Sequence, residues 1–147
     1  MAYWSDSGVR ATSFAGGSGT SSSPYLISTP AQLGYLCYLI NSSTSSSYKS
    51  KYYKLTADLN MNANYWIPIG YASTSYAFTG NFDGDGHTIS YMTINGTYSG
   101  CGLFGYAGSS ATIKNLKMTK LVITNSKSST ATYVGCILGY SSNTTIS

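Results

Sequence analysis

The sequence predicts an all-β fold, a solenoid of short strands with one short α-helix near its start. Three observations carry this. Charged residues make up 8% of the 147, and Glu is absent. Ser and Thr together number 43, beside 16 Gly and 15 Tyr, a balance far from the Glu, Lys, Ala and Leu favoured by helices. Finally, Gly102-Leu103-Phe104-Gly105-Tyr106, followed by Ala111-Thr112-Ile113-Lys114, returns as Cys136-Ile137-Leu138-Gly139-Tyr140, followed by Thr144-Thr145-Ile146-Ser147. A content of 42% hydrophobic and 14% aromatic residues excludes ordinary disorder and supplies a core for one domain.

Residues 1–23 form a turn-rich entry, with Phe14-Ala15-Gly16-Gly17-Ser18-Gly19-Thr20 ahead of three serines. Pro24-Tyr25-Leu26-Ile27 reads as a short strand. Thr29 is a good N-cap and Pro30 suits the first helical position, so a helix is expected over about 30–40. Leu33, Leu36, Cys37 and Ile40 share one face of it, which makes Cys37 a buried thiol. The polar tract from Ser42 to Ser47 reads as a surface loop.

From Tyr52 the character is β. Tyr52-Tyr53-Lys54-Leu55-Thr56-Ala57 is rich in strand formers, while Tyr65-Trp66-Ile67-Pro68-Ile69-Gly70 carries a proline that marks an edge or a bend. Ala77 to Phe82 alternates and runs into the turn Asp83-Gly84-Asp85-Gly86. His87-Thr88-Ile89-Ser90 reads as an earlier copy of the Thr-Ile element, which puts Ile89, Ile113 and Ile146 at spacings of 24 and 33. In a solenoid each such aliphatic residue turns inward and stacks on the next coil. Strand backbone then pairs between coils, and hydroxyl-rich outer faces need few ions.

These residues resemble the GLUG-repeat group of bacterial surface proteins. The likeness rests on Phe78-Thr79-Gly80-Asn81-Phe82-Asp83-Gly84-Asp85-Gly86-His87-Thr88-Ile89, then Gly102-Leu103-Phe104-Gly105, then Ala111-Thr112-Ile113-Lys114-Asn115-Leu116. Upstream, Gly17 to Thr20, Pro24 to Ile27, Gln32-Leu33, Tyr53 to Leu59 and Trp66 to Gly70 follow in the order seen where such repeats begin, so the match covers roughly residues 14–147. Asp85 departs from the Asn more usual there, and Cys136 from a glycine. The resemblance implies a right-handed parallel β-helix: an N-terminal cap over 1–50 and coils over 51–147. It implies an extracellular or cell-surface, adhesin-like setting. Some members accompany immunoglobulin-cleaving zinc peptidases, an activity that no HExxH segment supports here. The start lacks a leader, and Thr144 to Ser147 stops inside a repeat, so a segment of a longer protein is expected.

Function classes narrow further. With His87 the single histidine and no paired-cysteine motif, neither a metal site nor a cofactor is expected. The net charge of +4 is spread over eight basic residues, too few for a nucleic-acid surface, and no stretch is long enough to span a membrane. Cys101 and Cys136 each adjoin a glycine, and a bridge between them is one option.

Asp83, Asp85 and His87 alternate and so share a side of an extended segment. They read first as a glycine turn capped by Asp, with an acid/base couple or a calcium site as alternatives. Asp58, after a strand, reads as a bond to turn amides. Trp66 is a core residue or a sugar-stacking one, and Tyr106 and Tyr140 hold equivalent repeat positions and form a ladder. The function expected is a non-enzymatic surface module, a rigid spacer or a binding surface for a host or bacterial surface glycan or protein, with Tyr106, Tyr140, Trp66, Asp83, Asp85 and His87 as ligand contacts. A carbohydrate-active enzyme and a fibre unit stacking end to end on its own copies are the alternatives.

Overall fold

The computed structural model describes residues 1–42, 45–128 and 132–147. Strand β1 (Tyr25–Ile27) leaves the Gly/Ser-rich entry and leads into helix α1 (Pro30–Ile40). The Thr29 hydroxyl accepts the Gln32 N–H at 3.2 Å, and the Gln32 carboxamide reaches back to the Ser28 N–H at 2.8 Å. This reciprocal cap resembles a capping box, with Pro30 opening the helix. Leu33, Leu36, Cys37 and Ile40 are fully buried, as the spacing predicts. The N-terminal segment lies directly on the helix at Gly34, where a Cβ would stand 2.0 Å from the Trp4 carbonyl oxygen. Asn41 ends the helix and ties it to the next layer. Its carboxamide donates to the Pro68 carbonyl at 3.0 Å and accepts the Gly70 N–H at 2.7 Å.

Within the polar tract read as a loop, Ser45–Tyr48 forms a single helical turn, α2, ending at Tyr48, which packs against the core. Strands β2 (Tyr52–Leu55) and β3 (Leu59–Asn60) follow. Around Pro68 the chain keeps only isolated bridges, at Tyr65 and Ile69, because proline cannot donate to a ladder. After a 3₁₀ turn at Thr74–Tyr76 come β4 (Asn81–Asp83), β5 (Thr88–Ser90), β6 (Thr93–Gly96), β7 (Gly100–Cys101) and β8 (Phe104–Ala107). The remaining strands are β9 (Thr112–Lys114), β10 (Lys117–Thr119), β11 (Val122–Asn125), β12 (Tyr133–Val134), β13 (Leu138–Ser141) and β14 (Thr145–Ile146).

The strands form a five-stranded sheet in the order β1-β2-β4-β9-β14, a three-stranded sheet β10-β5-β3, and three two-stranded sheets, β11-β6, β12-β7 and β13-β8. All these pairings are parallel. Partners lie roughly 30 residues apart in the chain, ample for the crossover of a dozen or more residues that a parallel return needs.

The register stacks like on like. Tyr25, Tyr53, Phe82, Ile113 and Ile146 form one column. Leu59, Ile89 and Met118 form a second, and Ile94 with Ile123 a third. From Tyr53 to Ile113 the first column is sealed from solvent. One continuous core runs from Ile27 to Ile113, with Trp4, Phe14 and Leu138 packed against it.

The repeat read in the sequence is correct in its later part: Phe104 pairs with Leu138, Tyr106 with Tyr140, and Ile113 with Ile146. Its earlier part is corrected. Ile89 belongs to a different sheet, and the residue beneath Ile113 is Phe82. An apolar residue of either shape fills the column, so a matching Thr-Ile pair does not mark the register. No bridge joins Cys101 to Cys136: both are free thiols, Cys101 buried and Cys136 exposed.

Phe82 lies between Tyr53 and Ile113 in the column and meets the Phe104 ring edge-on at 5.4 Å. Phe82→Ala is expected to cost about 3–5 kcal/mol in a urea titration, against less than about 0.5 kcal/mol for an exposed substitution such as Thr119→Ala. Burial pushes the Cys37 thiol up to about 12. A thiol reagent added to the native protein should therefore label Cys136 at once, with Cys37 and Cys101 reacting only after denaturation.

Candidate binding surface

Side chains alternate along a strand, so the five-stranded sheet has an inner and an outer face. While Tyr53, Phe82 and Ile113 point inward, their neighbours point out. The register gathers those neighbours into two outward rows. One is Tyr52, Asn81, Thr112 and Thr145; the other is Lys54, Asp83 and Lys114. Within a row adjacent side chains lie about 4.8 Å apart, the spacing of parallel strands. Tyr52 and Asn81 of the first row and all three residues of the second line a groove of about 340 Å³, together with Ser21 and Pro24 from the entry segment.

The acidic turn forms one end of this face. Asp83 Oδ1 accepts the Asp85 N–H at 2.9 Å and the Asn115 carboxamide at 3.0 Å, while its Oδ2 lies 3.5 Å from Lys114 Nζ. Asp85 Oδ2 meets Lys54 Nζ at 3.1 Å. Gly84 is required by packing: a Cβ there would lie 2.4 Å from the Asn115 carbonyl oxygen. Burial alone would raise the Asp83 carboxyl, but the Asn115 amide, the Asp85 N–H and Lys114 outweigh it and hold the group below the usual carboxylate range.

His87 turns elsewhere. Its Nδ1 lies 3.2 Å from Asp58 Oδ1, and the same oxygen accepts the Thr88 N–H at 2.9 Å. That backbone bond, then His87, lowers the Asp58 carboxyl. Asp58 thus bonds a backbone amide, as read from the sequence. Asp83, Asp85 and His87 do not converge on one point, since each is tied to a different partner. Among the described residues, no group of three or more His, Cys, Asp or Glu side chains is arranged to hold a metal ion.

Trp66 is corrected as a sugar contact. Its ring is fully buried, and its indole N–H donates to the Leu103 carbonyl at 3.0 Å. Tyr106 and Tyr140 do form a ladder, with ring centroids 5.5 Å apart and Tyr133 adding a third ring 4.9 Å from Tyr140. They border a second cleft of about 250 Å³ with Thr74 and Ser142. Sequence reasoning did not single out Tyr52 and Asn81, which line the groove. The alternation in each strand was the available signal, but only the register shows which outward residues become neighbours.

No known family's profile matches the chain, and no solved structure matches it. Two curated proteins are similar. Halomucin of Haloquadratum walsbyi is 31% identical over 97% of this chain and 2% of its own length. A putative Gly-rich membrane protein of Evansella cellulosilytica is 33% identical over 76% of this chain and 13% of its own. The chain therefore spans a small fraction of both relatives. The second of these relatives is named as a membrane protein. Among the described residues, no helix is long and apolar enough to cross a membrane.

The Asp83 cluster makes acid stability a direct readout. Because the folded carboxyl titrates below its unfolded value, its contribution is present above about pH 4 and is lost as pH falls through the lowered folded value. Urea midpoints measured from pH 6 down to pH 2.5 should fall on the acid side, and Asp83→Asn should make that fall shallower. An unchanged slope in the variant would show that the Asn115 and Lys114 contacts do not favour the ionised form.

Proposed function

We propose that this chain is a non-enzymatic module of a GLUG-repeat-like bacterial surface protein. In this reading its parallel ladders are the coils of a right-handed β-helix, which acts as a rigid spacer and a binding surface for a glycan or a protein. The observation that carries it is the use of the ionisable side chains. Asp58, Asp83, Asp85 and His87 are all spent on bonds that join neighbouring segments. The outward rows left over are hydroxyl, amide and aromatic groups, suited to contact and poor in proton-transfer chemistry. Sequence likeness to a protein named as a membrane protein supports a cell-surface setting.

The test is to add fluorescent chain to intact bacterial and host cells and, in parallel, to isolated polysaccharides. Saturable retention on a surface without release of reducing ends is expected. Turnover abolished by Asp83→Asn would overturn the reading in favour of a carbohydrate-active enzyme.

A second reading, self-association, has its own observation. Val122, Val134 and Ile146 are each more than half exposed, on strands β11, β12 and β14, which pair along one edge only. Stacking of copies through these edges would appear as a rise in sedimentation coefficient with concentration.

A further inference from the structure

We propose that the groove on the outer face of β2, β4 and β9 is a binding site for a neutral oligosaccharide, an inference that rests on the surface-module reading and gives it a ligand class and an address. The groove has a built floor. Directly beneath it Tyr53, Phe82 and Ile113 are sealed in the core, and the main chain on both sides of β4 is fixed by ladder bonds. A site held this way loses little conformational freedom when a ligand docks.

Its lining offers what a sugar ring needs. Tyr52, a residue 37% exposed, lines the groove with a ring that can serve as an apolar plate for the C–H face of a pyranose. Beside it stands Asn81, half-buried and pointing into the groove. Among the described residues its carboxamide makes no hydrogen bond, although the Asn41, Asn115 and Asn125 carboxamides all do. A half-buried amide with an unused donor and an unused acceptor is matched by a pair of adjacent sugar hydroxyls, each of which donates and accepts.

Charge decides between ligand classes. The second row carries Lys54 and Lys114, but each is paired with a carboxylate, Asp85 and Asp83. The face is therefore electrically balanced and offers no net attraction to phosphate, sulfate or sialic acid. A protein partner would call for a wider apolar centre than a groove of about 340 Å³ supplies, whereas one or two sugar rings fit.

The test presents the folded chain to a glycan array of neutral glucose-, galactose-, mannose- and N-acetylhexosamine-based oligosaccharides beside sialylated and sulfated ones. The strongest neutral hit is then titrated by calorimetry. Binding by neutral chains, nearly unchanged between 50 mM and 500 mM salt, is expected. Tyr52→Ala and Asn81→Ala should each weaken it by about tenfold, the scale of one lost contact. Tyr91→Ala, in the bend between β5 and β6 and outside the groove lining, should leave it unchanged, with thermal midpoints checked for all three. Neutral-glycan binding indifferent to Tyr52→Ala and Asn81→Ala would overturn the groove while leaving the surface-module reading standing. So would a preference for anionic glycans that collapses with salt. Retention on cells with no glycan bound at all would overturn the sugar ligand alone, and absence of any retention on cells would overturn the module reading itself.

Discussion

The parallel main-chain ladder is the constraint on which the rest of this structure depends. A strand that pairs in parallel with one about 30 residues later forces the chain to leave the sheet and come back, so from β2 onward consecutive strands fall into different sheets. The return is useful only if the same residues face inward each time, since a slip of one position would put every buried side chain in water. Apolar character, not identity, meets that condition. Tyr53, Phe82 and Ile113 differ in size and shape yet occupy one column, and so do Leu59, Ile89 and Met118. The scarcity of charge follows from the same constraint. Ions stand only on outward positions, and where they stack in register they alternate in sign, as Lys54, Asp83 and Lys114 do.

Where the ladder is interrupted, carboxamides continue it. An Asn side chain carries one donor group and one acceptor, as a peptide unit does, and can stand in for a missing strand residue. The Asn125 Oδ1 accepts the Tyr98 N–H at 3.1 Å and its Nδ2 donates to the Tyr98 carbonyl at 2.8 Å, so one side chain satisfies both backbone groups of a residue beyond β6. Asn41 does the same for the chain on either side of Ile69, at the point where Pro68 has broken the pairing. A carboxylate can only accept, so it could not fill these positions. The absence of Glu and the rarity of Asp are consistent with a chain whose polar side chains mainly complete backbone bonding.

This explains which features were legible in the sequence. Local chemistry was readable: Thr29 and Pro30 marked the helix start, the helical spacing marked Cys37 as buried, and the glycines around Asp83 and Asp85 marked a turn. The repeat containing Phe104 and Leu138 was readable because its glycines and tyrosines recur in step. The Ile89 assignment failed because Thr-Ile is a local resemblance, whereas the column is defined by apolar character across sheets. Trp66 was ambiguous because an indole is equally suited to a core with one carbonyl partner and to a sugar face; only burial separates them. The outer groove was not readable at all. Tyr52, Asn81 and Thr112 become neighbours through two unequal returns of the chain, and no single segment announces that meeting.

The division of labour between the two faces bears on how such a surface can acquire specificity. The inner residues are bound by packing, and a change there is felt through the whole column. The outer residues are bound mainly by alternation: many side chains other than proline can stand at Tyr52, Asn81 or Thr112 at little cost to the ladder. Recognition can therefore be rewritten on the outer rows while the frame stays fixed. The ion pairs of the neighbouring row contribute differently. They hold Lys54 and Lys114 in place and offset their charge, which in the proposed site would leave discrimination to shape and hydrogen bonding. In the proposed site, a rigid, neutral row of aromatic and amide groups would separate ligands by the orientation of their hydroxyls, because no net charge is available to do so.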